Sequence, residues 1–231
     1  MGRLLVLAGL VCLHTPVLYA QAPSPQDETT RASVTSCCGV VTPAGERLRA
    51  VLDSMDVEHR WQQNMHVNWE TGEPTGAPEQ GSGPHTHCSA FAAAVGKRLD
   101  VYMLRPPEHG QTLLASAQGR WFASREGVDH GWRQVFHLED AQRLANQGNL
   151  VVLDYVNPNR KHPGHIAIVR PAEKSWQSLR EDGPETTQAG AHNFTEGNAR
   201  FSFSKHTGAW PNEVLAFVHT TKLSQEPAGG K

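Results

Sequence analysis

The stretch that decides the fold is NLVVLDYVNPNRKHPGHIAIVRP, residues 149–171. It contains two runs rich in Val, Ile and Leu, 149–156 and 165–171, and the segment between them, NPNRKHPG, is dense in residues that favour turns. Short apolar runs bounded by turn-forming residues are typical of buried strands. We therefore expect two antiparallel strands joined by a long connection.

Before this stretch the apolar residues follow a helical spacing. Thr42 followed by Pro43 is typical of a helix N-terminus, and CSAFAAAVGKRL, residues 88–99, has the composition of a buried helix. Further helices are expected at 110–122 and at 138–146. The first part of the chain is therefore predicted to be mainly helical.

The rest of the chain is expected to add strands at 185–189, 200–205 and 213–220, with a short helix over 174–181. Helices in the first part and strands in the second part are typical of an α+β fold. We expect N-terminal helices packed on a C-terminal antiparallel β-sheet, with the helix that begins at Cys88 lying against that sheet.

The composition limits the possible functions. The chain has 231 residues, 38% of them hydrophobic, and a formal net charge of -2. This length fits one compact domain with its own core. A surface that binds nucleic acid needs a basic patch to neutralise phosphates, and the near-neutral charge balance argues against one. We expect no nucleic-acid partner.

The first residues, 1–22, have the pattern of a secretory signal peptide, in which a basic residue precedes an apolar run over 4–13 and small residues follow. Because a membrane-spanning helix needs about 20 apolar residues, we expect no stable membrane insertion. Residues 23–40 are predicted to form a flexible leader, 41–222 a single domain and 223–231 a disordered tail. The mature protein is predicted to be secreted or periplasmic.

Removal of the signal peptide leaves three cysteines, Cys37, Cys38 and Cys88. An oxidising compartment favours disulfides, but an odd number leaves at least one thiol unpaired. Adjacent cysteines bridge each other only with strain, so we expect Cys37 and Cys38 to link to another chain or to form no bond. Cys88 is the unpaired thiol of interest.

Cys88 follows a long segment, 69–87, in which glycines and prolines are so frequent that we expect no regular structure. Long loops inside compact domains are often functional, and mobility of this one would gate access to the thiol. Cys88 itself stands at a helix N-terminus, where unpaired backbone N–H groups favour the thiolate. Cys88 is thus a candidate nucleophile, with its own N–H and the Gln80 side chain as candidate oxyanion donors. A buried structural cysteine is the alternative.

His165 opens an apolar strand. Because side chains alternate along a strand, its imidazole shares a face with Ala167, a small residue that leaves room for a neighbouring helix end. An imidazole beside the Cys88 thiol would accept the thiol proton and return it to a leaving amine. A side-chain oxygen near the next strand would orient the ring. The candidates for that role, in order, are Gln188, Asn193 and Glu185.

The order of these residues resembles that of the papain-like cysteine hydrolases that cut bacterial cell walls, the CHAP-type amidohydrolases and peptidases. A cysteine at a helix start, the string PGHIAIV and a polar residue on the next strand carry the resemblance, which covers roughly residues 85–195. It implies a papain-like fold with Cys88 as nucleophile and His165 as base. It implies an orienting role for Gln188 or Asn193.

The resemblance also implies a substrate, which is an amide bond of peptidoglycan within the stem peptide or between sugar and peptide. It implies no cofactor, and it makes residues 41–222 a single catalytic domain. The segment 172–184 has the character of an insertion relative to the family. The third residue of the site therefore stays open among the three candidates.

The same side chains allow two other interpretations. A zinc ion could be held by histidine and cysteine ligands at short spacing, although the chain lacks a helix-borne HExxH motif. The ligands in that case would be His85, His87, Cys88, His162 and His165. The other interpretation is a noncatalytic secreted binding module, in which Cys88 and His165 never meet.

Overall fold

The computed structural model describes residues 36–78 and 85–225. The predicted signal peptide over 1–22 lies outside the described residues. The same is true of residues 23–35 of the predicted leader and residues 226–231 of the predicted tail. Gln80, a candidate oxyanion donor, also lies outside them.

The described residues form eight helices and eight strands. The helices are α1 (Pro43–Ser54), α2 (Cys88–Arg98), α3 (Leu114–Phe122), α4 (Arg125–Asp129), α5 (Leu138–Asn146), α6 (Trp176–Asp182), α7 (Ala199–Ser202) and α8 (Lys222–Gln225). The strands are β1 (Met65–Val67), β2 (Pro74–Pro78), β3 (Arg133–Val135), β4 (Leu150–Tyr155), β5 (His165–Val169), β6 (Glu185–Gln188), β7 (Phe194–Asn198) and β8 (Val214–His219).

Six of the strands form one sheet in the order β3-β8-β4-β5-β6-β7, and β1 and β2 form a separate pair. Every pairing is antiparallel. The predicted hairpin is therefore present as β4 and β5, and its register places Tyr155 opposite His165 and Asp154 opposite Ile166. The predicted α+β class with an antiparallel sheet is confirmed.

Two apolar clusters cover opposite faces of this sheet. One joins Ile166 and Ile168 of β5 to helices α2 and α3, and it includes the fully buried Phe91. The other joins Ala167 of β5 to residues of α5 and α7, and it includes the fully buried Phe203. Burial of a large apolar side chain contributes about 1.5–3 kcal/mol, so these clusters fix the positions of the helices on the sheet.

Helix α2 packs on the Ile166 face of β5, because its alanines let the helix approach the sheet closely. Ala92 and Ala93 in the middle of the helix are fully buried. The expectation that the space beside Ala167 receives the end of this helix is therefore wrong, since Ala167 packs in the cluster that contains Phe203. The thiol-bearing helix and the Ala167 side chain lie on opposite faces of the sheet.

Two predicted elements differ from the structure. The strand expected at 200–205 is wrong, because β7 ends at Asn198 and a short helix follows it. The Asn198 side chain accepts a hydrogen bond from Phe201 N at 2.8 Å and so caps that helix. The helix expected from residue 110 begins at Leu114, because Leu113 adopts a left-handed conformation with φ 62°.

The expectation that 69–87 has no regular structure is wrong for part of the segment. Residues Pro74–Pro78 form β2, which pairs with β1. Proline cannot donate a backbone hydrogen bond, and strands at a sheet edge tolerate this because one side of an edge strand needs no donors. A pair of two strands consists of edges alone, so the proline-rich sequence is compatible with it.

The chain is anchored before and after the predicted domain limits. Cys37 N donates to Lys174 O at 2.9 Å, and Cys38 is buried, so the last residues of the predicted leader pack on the domain. Cys37 and Cys38 form a disulfide with each other, and the expectation that they do not is wrong. The backbone beside this disulfide pairs with Lys174 and Ser175. At the other end, α8 continues to Gln225.

Candidate functional site

Cys88 is the first residue of α2, and its side chain is 5% exposed. His87 precedes it as the N-cap and provides no side-chain hydrogen bond to the first turn. The first backbone N–H groups of a helix have no partner within the helix. The N–H groups of Cys88 and Ser89 lie close to the sulfur, together with the Ile166 N–H and the Thr86 hydroxyl. The sulfur is therefore surrounded by hydrogen-bond donors.

These donors do not produce a thiolate in the free protein. Burial raises the pKa of the Cys88 thiol above its usual value of 9.0, and the amide groups and the Thr86 hydroxyl offset only part of the increase. The sequence-based expectation that the helix N-terminus favours the thiolate at neutral pH is wrong for this reason. The thiol is protonated at neutral pH and needs a base to become a nucleophile.

A buried hydrogen bond joins His165 to Gln188. The distance from His165 Nε2 to Gln188 Oε1 is 2.7 Å, and both side chains are at least 95% buried. The amide nitrogen of Gln188 donates to His192 O at 3.0 Å, which fixes the amide with its oxygen towards the imidazole. His165 Nε2 therefore carries the proton, and Nδ1 is the nitrogen with a free lone pair.

Burial also determines the charge of His165. It lowers the pKa of the imidazole below 6.5, and the hydrogen bond to Gln188 opposes this shift. The lowered pKa keeps the ring neutral at neutral pH. His165 Nδ1 is thus available as a proton acceptor under the same conditions in which the Cys88 thiol is protonated.

The thiol and the imidazole approach β5 from opposite faces of the sheet: Cys88 packs in the cluster that contains Ile166, whereas the His165 ring packs against Phe203 of the cluster that contains Ala167. The Cys88 sulfur lies beside the N–H of Ile166, the residue that follows His165. Thr86 is near the sulfur and also lines the cavity that contains the imidazole. In the described part of the chain, no hydrogen bond joins the Cys88 sulfur to the His165 ring directly.

Asp154 is a buried carboxyl group that the sequence analysis missed. It lies on β4 opposite Ile166, and neither of its oxygens has a hydrogen-bond partner among the described residues. Its carboxyl lies against Gly119, where a Cβ atom would overlap Oδ1. Burial raises the pKa of Asp154 well above 3.8, and the nearby Cys88 raises it further. An aspartate inside the apolar run LVVLDY was the signal that could have identified it.

A cleft runs past His165. One part is a cavity of about 190 Å³ beside the imidazole, and its lining includes Gln188 and His206. The other part, about 220 Å³, is lined by residues that include Lys161. Both parts are lined by Thr86 and Pro163, so they adjoin. A larger cavity at the start of α1 is lined by none of the candidate residues. The cleft beside His165 is therefore the candidate substrate site.

Comparison with protein-family models finds no match to this chain. Comparison with curated proteins finds no match either. The site is therefore interpreted from its own geometry and from the resemblance carried by its residues.

Asn193, the second candidate for the orienting group, does not contact His165. Its amide nitrogen donates to Val57 O at 2.9 Å and Arg60 O at 2.7 Å, and its oxygen accepts from Gly190 N at 2.9 Å. All of its polar atoms are therefore used to hold the backbone of two loops together. Its assignment as a catalytic residue is corrected to a structural one.

The remaining candidate for the orienting group, Glu185, also lies elsewhere. It forms an ion pair with Lys174, with Nζ to Oε2 at 3.0 Å. Glu185 does not line the cleft beside His165.

The five residues considered as zinc ligands are not gathered into one site. Among residues 36–78 and 85–225, no group of three or more His, Cys, Asp and Glu side chains is placed to hold a metal ion. His87 instead contacts Met65 O at 2.9 Å and Gln111 Oε1 at 3.1 Å through its two ring nitrogens. In the same ranges, no helix is long and apolar enough to cross a membrane.

Proposed function

We propose that the protein is a cysteine hydrolase that cleaves amide bonds, with Cys88 as the nucleophile and His165 as the base. One observation carries the proposal. The hydrogen bond from His165 Nε2 to Gln188 leaves Nδ1 as the basic nitrogen, and Thr86, whose hydroxyl lies close to the Cys88 sulfur, also lines the cavity that contains the imidazole. A neutral imidazole with a fixed tautomer is the partner that a protonated thiol needs.

In the first step, His165 Nδ1 accepts the proton from the Cys88 thiol as the sulfur attacks the substrate carbonyl carbon. The carbonyl π electrons move to oxygen, which becomes an oxyanion. The N–H groups of Cys88 and Ser89 at the start of α2, which lie close to the sulfur, are donors for that charge. Gln188 stabilises the imidazolium, because its amide oxygen accepts a hydrogen bond from the Nε2–H group in both protonation states of the ring.

In the second step, the oxyanion collapses, the carbon–nitrogen bond breaks, and the imidazolium gives its proton to the leaving amine. A thioester to Cys88 remains. Water then attacks the thioester with His165 as base, and the acid product and the free thiol are released. Because both groups begin neutral, the reaction needs no preformed thiolate–imidazolium pair.

We further propose that the substrate is peptidoglycan and that the protein works outside the cytoplasm. The resemblance to cell-wall hydrolases over roughly 85–195 supports the substrate, and the signal-peptide pattern over 1–22 supports export. The disulfide between Cys37 and Cys38 supports an oxidising compartment.

The test is incubation of the mature protein with purified peptidoglycan, followed by mass spectrometry of the soluble fragments. We expect new amine and carboxyl termini at one type of amide bond. The masses identify the bond, because a cut between sugar and peptide releases whole stem peptides and a cut within the peptide releases parts of them.

The matched variants are Cys88→Ala, His165→Ala and the control His162→Ala, whose imidazole is exposed on the connection between β4 and β5. The first two are expected to release no fragments, and the control is expected to retain wild-type activity. Hydrolysis that persists in folded Cys88→Ala would exclude the cysteine mechanism. An inactive wild type that still binds peptidoglycan would favour a binding module.

A further inference from the structure

His206 lies face to face with the imidazole of His165. The two ring centroids are 5.5 Å apart, and the ring planes differ by 23°. His206 also contacts the ring of Tyr155 at 5.2 Å, and Tyr155 is the cross-strand partner of His165. The His206 ring thus packs against both Tyr155 and His165, which are cross-strand partners on β4 and β5.

Three side chains restrain the His165 ring from different directions. Gln188 binds Nε2, and Phe203 packs against the ring edge-on with centroids 5.2 Å apart. Phe203 is fully buried, whereas His206 is half-buried and lines the cavity. Gln188 and His206 both line the cavity, and His206 is the one of the two whose ring covers a face of the imidazole.

The charges around His206 favour its neutral form. It faces His165 on β5 and Tyr155 on β4, and Lys205 and His192 line the same cavity. None of the described residues that line this cavity is an Asp or Glu. Burial, followed by repulsion from His165, lowers the pKa of His206 to about 4. His206 therefore stays neutral while His165 gains and loses its proton.

We propose that His206 is a positioning residue, which holds the His165 ring in the orientation that the Gln188 hydrogen bond requires and which excludes water from that ring. Its catalytic consequence rests on the proposed function. Its physical consequence, the dehydration of His165, can be measured whether or not the protein is a hydrolase. This role requires an aromatic ring at position 206 but does not require the nitrogen atoms of that ring.

The test compares His206→Ala with His206→Phe in the full mature chain. The alanine variant opens the cavity to the imidazole, so the pKa of His165 should rise towards 6.5, because burial is the main cause of its lowered value. The phenylalanine variant keeps a ring in place, so the pKa should stay at the wild-type value. Histidine ring resonances, assigned with His165→Gln, report these pKa values by NMR titration.

Turnover gives the second measurement. We expect kcat to fall about tenfold or more in His206→Ala, since a small misplacement of a catalytic group has effects of up to about 10²-fold, and to recover in His206→Phe. The acid limb of kcat/KM should move upwards in the alanine variant only. His137→Ala is the control, because His137 is exposed and lines neither part of the cleft.

An unchanged His165 pKa in folded His206→Ala would overturn the inference. A phenylalanine variant that behaves like the alanine variant would also overturn it, because the nitrogen atoms of His206 would then be needed. If the wild type hydrolyses nothing, the proposed function fails, but the NMR titration still decides whether His206 shields His165.

Discussion

Replacement of Asp154 by Asn tests whether a neutral carboxyl group lies beside the thiol. Both oxygens of Asp154 are buried without a partner, and a charged carboxylate in that position would be strongly destabilising. The folded protein should therefore keep this group protonated well above pH 3.8, while the unfolded chain releases the proton near that value. A neutral Asp154 also leaves no negative charge to oppose formation of the Cys88 thiolate.

The sign and size of the pH dependence follow from this difference. Between the two pKa values the folded state binds one proton more than the unfolded state, so the free energy of unfolding falls as pH rises. The slope is about 1.4 kcal/mol per pH unit. For each pH unit between the two pKa values, the wild type should thus lose about 1.4 kcal/mol of unfolding free energy relative to Asp154→Asn.

The assay is urea unfolding of both proteins across this pH range, with the difference in the free energy of unfolding plotted against pH. Subtraction removes the contribution of groups that both proteins share. Asp154→Leu serves as a second variant, because it also removes the carboxyl and lacks the buried amide of Asn. A difference that does not change with pH, in both variants, would refute the protonated state of Asp154.

Three further predictions concern residues that shape the site. Gln188→Glu places a carboxylate beside His165, which stabilises the imidazolium and raises the pKa of His165. The acid limb of kcat/KM should therefore move to higher pH. An acid limb at the wild-type pH would contradict the contact between residue 188 and His165. Asn193→Ala removes hydrogen bonds to backbone carbonyls and should lower the free energy of unfolding by about 2 kcal/mol in urea, with little change in the pH profile of turnover. Gly164→Ala places a Cβ against a backbone carbonyl of the facing strand, so it should lower the free energy of unfolding by about 1–3 kcal/mol and the thermal midpoint with it. Gly110→Ala is the control, because a Cβ there meets no neighbouring atom, and it should leave the midpoint unchanged. Equal midpoints for the two variants would show that the turn before His165 can relax.

Local signals predicted much of the fold. Thr42 caps α1 through a hydrogen bond from Gly45 N at 3.2 Å, and helices α2 and α5 begin where their sequences indicate. The strands of the hairpin are apolar runs between turns, so their pairing was accessible from the sequence. The strand over 194–198 was missed, because FTEGN is short and polar and lacks a clear alternation.

The candidate site was harder to predict from the sequence than the fold, because its properties depend on tertiary contacts. The order of candidates placed Gln188 first, and Gln188 is the one that is hydrogen-bonded to His165. The protonation of Cys88 depends on how completely α2 is buried against the sheet, which the sequence does not give. His206 stacks on His165 only through a turn after α7, and no spacing in the chain indicates that contact.

His165 is proposed as the base for Cys88, and the rate at which iodoacetamide alkylates Cys88 tests this role most directly. In the wild type near neutral pH, we expect His165 to assist removal of the thiol proton, so that His165→Ala reacts about tenfold or more slowly. The two rates should converge above the raised pKa of the thiol, where the thiolate forms without help. Equal rates near neutral pH in folded wild type and His165→Ala, with His162→Ala as control, would contradict the account.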